Sequence, residues 1–296
     1  PASTAVGLAR QGISTAFIGR TSDDAFGRWL RSILEDEGIN VDAAILDPAA
    51  QTRMAYVVTT ATGDRKLAEF SRIACADTKL QPNDLKQHLF AQASVLHFGS
   101  ISLIESPAAE ATKKAVELAR ASKLLVSYDP NVRISLWPSK ETCKQTILNT
   151  LNWADVVKIN EDELEFLTGS RDFAAADALR AEHDLPMLII TLDSRGCYFA
   201  TKEGGKQVPG FQVELVEATG AGDGFNSGVI ADLLPYIKNA PDRREALLAL
   251  DHAKLSEIVR SANAIGAITC TKAGAIPALP HTEEIATFMQ KMAVKN

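Results

Sequence analysis

The sequence has only four cysteines, Cys75, Cys143, Cys197 and Cys270, set far apart and without a C-x-x-C pair. A chain of 296 residues buries a full core without disulfide staples. Reduced thiols in the cytosol or a plastid-like compartment fit this usage. No apolar run approaches the ~20 residues that a membrane helix requires. Basic blocks are also missing: 31 Lys and Arg stand against 37 Asp and Glu, giving a net charge of −6. A uniformly acidic chain of this kind is a poor match to nucleic acid or anionic lipid, so neither is expected as a partner. There is no internal repeat and no low-complexity tract. With 46% hydrophobic and 23% charged residues, disordered, collagen-like and coiled-coil readings fall away. The five histidines, His88, His97, His183, His252 and His281, share no ligand spacing, and His97 reads as a strand-end packing residue. Trp29, Trp137 and Trp153 read as core or loop anchors.

What is present is an alternation. The chain opens with a helix, Pro1 to Gln11, stopped by Gly12. A helix rarely opens an α/β chain, so a strand lost by processing or truncation is expected before it. Thr15–Gly19 reads as a strand and Ala25–Glu37 as an amphipathic helix ending at Gly38. Apolar strands recur at Ser94–Phe98, Leu124–Asp129, Asp155–Ile159 and Met187–Leu192. Helical stretches fall at Pro107–Arg120, Ser139–Leu151, Glu161–Leu167 and Phe173–Glu182. Short apolar strands separated by helices predict βαβ units: a doubly wound, mostly parallel α/β sheet with helices on both faces.

One segment breaks the pattern. Thr52–Thr60 is β-branched and aromatic, Ala61–Asp64 turns, and Arg65–Phe70 returns, which predicts an antiparallel hairpin. Such a hairpin projects as a small β lid, here placed within residues 43–72 of a single domain spanning 1–296. Met54, Tyr56 and Val58 lie on one face of its first strand, an uncovered apolar face suited to closing over a ligand or pairing with a second copy. Lys202–Lys206 reads as a polar turn.

The chemistry is concentrated late in the chain. Phe211–Leu215 alternates like a strand and runs through Glu217-Ala218-Thr219-Gly220-Ala221-Gly222-Asp223-Gly224-Phe225 into a helix with Phe225, Val229, Ile230, Leu233 and Leu234 on one face. A glycine turn opening a helix is an anion site, because free N–H groups and the positive helix end converge there. Asp223 on that rim repels a resting phosphate, yet suits taking a proton from a hydroxyl that attacks one. No Lys follows the glycines, which excludes a Walker A loop. The late position argues against a Rossmann fingerprint. On the bare motif, a glycine turn with Asp223 as a helix-terminal charge is an equal alternative.

Glu217 to Gly228 resembles the second signature, D-T-x-G-A-G-D-x-F-x-x-G, of the ribokinase (PfkB) family of sugar kinases. Further blocks resemble its fructokinase branch in order: Ala5–Arg10, Phe98–Leu103, Ser127–Arg133 with Leu136–Ser139, Asp155–Glu163, Ala262–Ala264 and Gly274–Pro280. The resemblance implies a ribokinase-like fold with a β lid and an ATP- and Mg2+-dependent sugar kinase, with D-fructose as the first substrate. Another ketose, a sugar acid or a nucleoside is the alternative acceptor, and a fructokinase-like scaffold without catalysis is the alternative of another class.

By the same resemblance, Asp223 is the general base, and the Gly220, Ala221, Gly222 and Asp223 amides form the hole for the transferring phosphoryl group. Asn160 and Glu163 match an N-x-x-E motif that organises Mg2+ and ATP phosphates, largely through water; the same pair also reads as a capping box. Thr191, Gly196, Asn263 and Gly274 fall on the ATP side. Ser3, Arg72 and Arg133 fall on the sugar or phosphoryl side, and Glu217 with Thr219 at a K+ site. Departures from the pattern are Ser3 in place of a sugar-binding Asn, Glu217 for Asp, Ala218 for Thr, and Asp193 for a Gly. They bear on sugar affinity, potassium activation and nucleotide fit. A homodimer joined through the lid completes the expectation.

Overall fold

The computed structural model describes residues 1–59, 65–71 and 75–293, with the side chains of 57–59 and 65–70 left aside. Arg72 and the side chain of Val58 therefore lie outside the described residues. The chain runs α1 (Ala2–Arg10), β1 (Ala16–Ser22), α2 (Ala25–Asp36), β2 (Asn40–Asp47), β3 (Ala55–Thr59), β4 (Arg65–Phe70), α3 (Gln87–Gln92), β5 (Val95–Gly99) and α4 (Ala108–Ala121). It continues β6 (Leu125–Asp129), α5 (Lys140–Leu151), β7 (Val156–Asn160), α6 (Glu161–Thr168), α7 (Phe173–Glu182), β8 (Met187–Thr191), β9 (Cys197–Thr201) and β10 (Gly204–Val208). Four helices close it: α8 (Ala221–Ile237), α9 (Arg243–Leu248), α10 (His252–Cys270) and α11 (Thr282–Ala293).

A six-stranded sheet in the order β10-β9-β8-β7-β6-β5 organises the fold. β5 to β8 pair in parallel, and β9 and β10 turn back antiparallel at one edge. All of β6 and the first four residues of β7 and β8 are buried. Strands covered on both faces need apolar residues on both, hence their continuous apolar runs. Alternate residues serve two cores. Val126, Tyr128, Val157, Ile159, Leu188 and Ile190 pack with Ile147, Leu151, Leu164 and Leu179 on the face covered by α4 to α7. Leu125, Val156, Met187, Ile189 and Phe199 pack with Phe225, Val229 and Leu233 of α8 and with Ile258 and Val259 of α10. α8 is pressed close to α10: a Cβ at Gly228 would lie 2.8 Å from the Ala262 Cα.

β1 and β2 pair in parallel as a separate two-stranded sheet, and β3 with β4 form a third, antiparallel one. β3 and β4 are the two antiparallel strands expected of the hairpin, while its turn, residues 61–64, lies outside the described residues. β2, whose second half falls within 43–72, belongs with β1. Two local expectations are corrected. Gly204–Lys206 is the start of β10, so the polar turn shrinks to Lys202 and Glu203. Phe211–Leu215 forms no strand. Its alternation records a surface segment whose Phe211 ring stacks edge-on against Phe288 at 5.3 Å, without a neighbouring strand to pair with.

At the N-terminal ends of the strands, the wholly buried Asp155 carboxylate accepts from Arg120 at 2.7 Å, Arg244 at 2.7 Å and the Val126 amide at 2.8 Å. The site lies at the other end.

Candidate active site

The first turn of α8 is built by a residue only glycine fits well. Gly220 caps the helix at φ +86, with the Ala275 Cα 3.0 Å from where a Cβ would sit. The Gly224 amide then closes the first turn on the Gly220 carbonyl at 2.8 Å. Among the described residues, the Gly222 and Asp223 amides have no acceptor. They are open donors at a helix N-terminus, the geometry that holds an anion.

Asp223 stands beside them. Its side chain is 20% exposed, and its Oδ1 accepts from the Thr4 hydroxyl at 3.0 Å. Thr4 is buried on α1, so two helix N-termini meet at this carboxylate. Ser3 is on the same turn, half-buried, but Thr4 is the residue that reaches Asp223.

Below the loop lies a polar cluster on the α8 side of the sheet. Val156 packs against α8, so by strand alternation Lys158 faces it too. The Lys158 ammonium bonds Asp129 Oδ2 at 3.2 Å, and Asn226 of α8 donates to the same oxygen at 2.7 Å. The Asn131 amide donates to Asp129 Oδ1 at 3.1 Å. A Cβ at Gly222 would lie 2.8 Å from Lys158 Nζ, so the second glycine leaves room for the ammonium. Burial would lower the Lys158 pKa, yet the surrounding Asp129, Glu163 and Asp223 carboxylates hold it above its ordinary value. His97 and Ser127 are hydrogen-bonded at 3.0 Å on the neighbouring strands. Burial, helped by the charge of the amino terminus and less by Lys158, and opposed by Asp129, pushes the His97 imidazole down to about 3, so it packs as a neutral ring.

Asn160 and Glu163 form a full capping box. The Asn160 side chain accepts from the Glu163 amide at 2.8 Å, and Glu163 Oε2 accepts from the Asn160 amide at 2.9 Å. Glu163 Oε1 accepts from the Val132 amide at 2.7 Å, tying the 129–133 loop to α6. Burial, then the nearby Asp129, raises the Glu163 pKa. Among the described residues, no three His, Cys, Asp or Glu side chains are grouped to cage a metal. Arg133 is exposed, and its guanidinium bonds the Val132 carbonyl at 2.9 Å.

The residues expected on the ATP side gather around the loops after β8, β10 and α10. The Asn263 carboxamide donates to the Val208 and Pro209 carbonyls at 3.3 and 3.2 Å, pinning the segment after β10. Glu217 joins two loops: Oε1 accepts from Thr219 at 2.7 Å and Oε2 from the Gly274 amide at 2.9 Å. Thr191 ends β8 with its hydroxyl on the Ile159 carbonyl at 3.4 Å. Gly196 has φ +97, and Asp193, in place of a glycine, takes φ +52, which an Asp tolerates.

A model of the pfkB family carbohydrate kinases matches residues 1–282. The chain belongs to that family. A probable fructokinase-4 of Arabidopsis thaliana is 40% identical over 291 residues, covering 98% of this chain and 86% of the relative. A Xylella fastidiosa fructokinase solved with bound ATP superposes with a TM-score of 0.90 at 28% identity, over 99% of this chain and 90% of that one. A Vibrio cholerae fructokinase bound to fructose, ADP and potassium ion gives a TM-score of 0.85 at 30% identity, over 97% and 89%. Four polar residues of this kinase-family site escaped the motif reading: Thr4, Asp129, Lys158 and Asn226. A charged residue between the buried Val157 and Ile159 was a usable signal, since an ammonium enters a core only with partners.

Proposed function

We propose that this carbohydrate kinase transfers the γ-phosphoryl group of ATP to D-fructose, giving fructose 6-phosphate. The observation that carries the reading is Asp223 placed beside two unpaired helix amides. A hydroxyl within reach of the carboxylate is also within reach of a phosphoryl group held by those amides. Asp223 takes the hydroxyl proton as the new O–P bond forms and the bond to the β–γ bridging oxygen breaks, releasing ADP. The open Gly222 and Asp223 amides meet charge on the equatorial oxygens, whereas the Ala221 amide, expected among them, donates to the Ala218 carbonyl at 3.2 Å. The Mg2+ that accompanies ATP, which supplies charge neutralisation, would be held through water by Asn160 and Glu163. This suits a hard cation that keeps its hydration and a site without a carboxylate cage. Arg133 and Arg72 close on the phosphoryl group or sugar, and Ser3 lies on the sugar side with α1. The nucleotide lies over Thr191, Gly196, Asn263 and Gly274.

Glu217 and Thr219 offer the oxygen chemistry of a K+ site, and Glu217 doubles as a brace for Gly274. Coupled detection of ADP release tests the reading across fructose, glucose, ribose and a nucleoside. Fructose should give the highest kcat/KM. Turnover with another acceptor alone would reassign the substrate, and no turnover with any would leave the scaffold alternative.

A further inference from the structure

We infer that Lys158 is a catalytic residue: it supplies positive charge from beneath the glycine turn to the phosphoryl group in transfer. The inference rests on the kinase reading above and adds a residue to its machinery. Lys158 is 7% exposed, flanked by the wholly buried Val157 and Ile159. An ammonium placed so deep is costly unless it is paired, and Asp129 is its partner. One of its three donors meets Asp129; among the described residues the others have no acceptor. Asp129 also accepts from Asn226 and the Asn131 amide, so Lys158 is its charge partner but not its sole donor. The ammonium also lies beside Gly222, where a Cβ would meet it at 2.8 Å, and the amide of that glycine is open among the described residues.

Charge gives the second argument. Three carboxylates act on Lys158, Asp129 by direct contact and Glu163 and Asp223 through their charge. A phosphoryl group carrying negative charge enters an acidic pocket, and Arg133 is turned to its own loop carbonyl. Among the described side chains, Lys158 is a cation held in place by Asp129 beside the glycine turn before any substrate arrives. Preorganised charge of that kind stabilises a transition state without reorganising.

Three variants of the full chain separate catalysis from packing. Lys158→Met removes the charge. Lys158→Met/Asp129→Asn also removes the carboxylate that would be left unpaired. Asp129→Asn alone keeps the lysine. Each is measured for kcat and for KM of ATP and fructose. Calorimetry then gives the affinity for ADP with fructose, with and without aluminium fluoride as a planar phosphoryl mimic.

Both lysine variants should lose kcat by about 100-fold, the size of losing one preorganised donor, with both KM values within about threefold. Their ADP affinity should stay within about threefold, while the tightening by aluminium fluoride falls about 100-fold. Asp129→Asn should lose far less on both readouts. The inference is overturned if the double variant keeps kcat or the fluoride effect within about fivefold of the unsubstituted chain. It is equally overturned if Asp129→Asn alone loses as much, or if the double variant fails to fold, since the pair would then serve the carboxylate or the core. An unsubstituted chain inactive on every sugar would sink the kinase reading instead, and fluoride binding would still judge Lys158.

Discussion

The Thr4 hydroxyl donates to Asp223 Oδ1 at 3.0 Å and so joins the first turn of α1 to the first turn of α8 across 219 residues of chain. One carboxylate oxygen is thereby oriented from the α1 side, and the proposed mechanism turns the other to a substrate hydroxyl. Asp223→Asn should lower kcat by at least about 1000-fold while ADP still binds, because the amide keeps the shape but cannot take a proton. Thr4→Val should cost about tenfold in kcat, in line with one hydrogen bond to a charged group. Steady-state rates and ADP calorimetry check both. An Asp223→Asn enzyme with more than a tenth of the rate removes the base from the mechanism.

Glu163 carries a structural duty and a proposed chemical one, and the two can be told apart. Both its oxygens accept backbone amides, from Val132 and Asn160. Glu163→Gln leaves one acceptor and places an NH2 against an N–H, so about 1 kcal/mol of stability should go with the cap. If Glu163 also orders the hydrated Mg2+, the Mg2+ concentration for half-maximal rate should rise several-fold and kcat should fall. Superimposed magnesium titrations for the two proteins would mean that Glu163 is a cap alone.

How much was legible in the sequence depended on how local each feature is. The Gly220–Asp223 turn and the Asn160–Glu163 box are set by residues within one helical turn, so spacing alone displays them. The strands β5 to β8 were equally plain, because burial on both faces writes a run of apolar residues. Asp129 with Lys158, and Thr4 with Asp223, are pairs brought together by sheet register and helix packing, and no spacing rule links them. Phe211–Leu215 shows the opposite failure. Its alternation is that of a strand, but a surface segment resting on α11 produces the same pattern without any pairing.

His97 sets an acid limit to stability. Its pKa is about 3 in the folded chain, against an ordinary value near 6.5 once unfolded. Below about pH 6.5 the unfolded chain takes up a proton that the folded chain refuses, so stability falls as the pH is lowered from there toward 3. His97→Gln keeps a polar partner for Ser127 and removes this proton uptake. The loss of unfolding free energy between pH 6.5 and 4.5, measured with urea, should shrink by about 1–2 kcal/mol in the variant. Parallel pH profiles for the two proteins would show that His97 titrates normally.

The lid leads to a prediction about assembly. Among the described residues, β3 and β4 pair only with each other, and a two-stranded sheet is marginal on its own in water. Its stem is well held. The Ser71 amide donates to the Met54 carbonyl at 2.8 Å, Arg53 bonds Asp77 at 2.7 Å, and Thr52 bonds the α2 cap Asp24 at 2.9 Å. Tyr56, on β3, is nevertheless 53% exposed. A fixed stem that leaves Tyr56 in solvent is best completed by the same strand from a second copy, which covers that ring. A homodimer through the lid is therefore expected at tens of micromolar by light scattering, with an interface of the order of 1,200–2,000 Å2. Met54→Lys/Tyr56→Lys should give a folded monomer, because neither residue belongs to the two cores that flank the six-stranded sheet. The monomer should also phosphorylate fructose less efficiently, since a lid without its partner excludes less water from the sugar. An unsubstituted chain that is already monomeric, or a variant that stays dimeric, places any interface elsewhere.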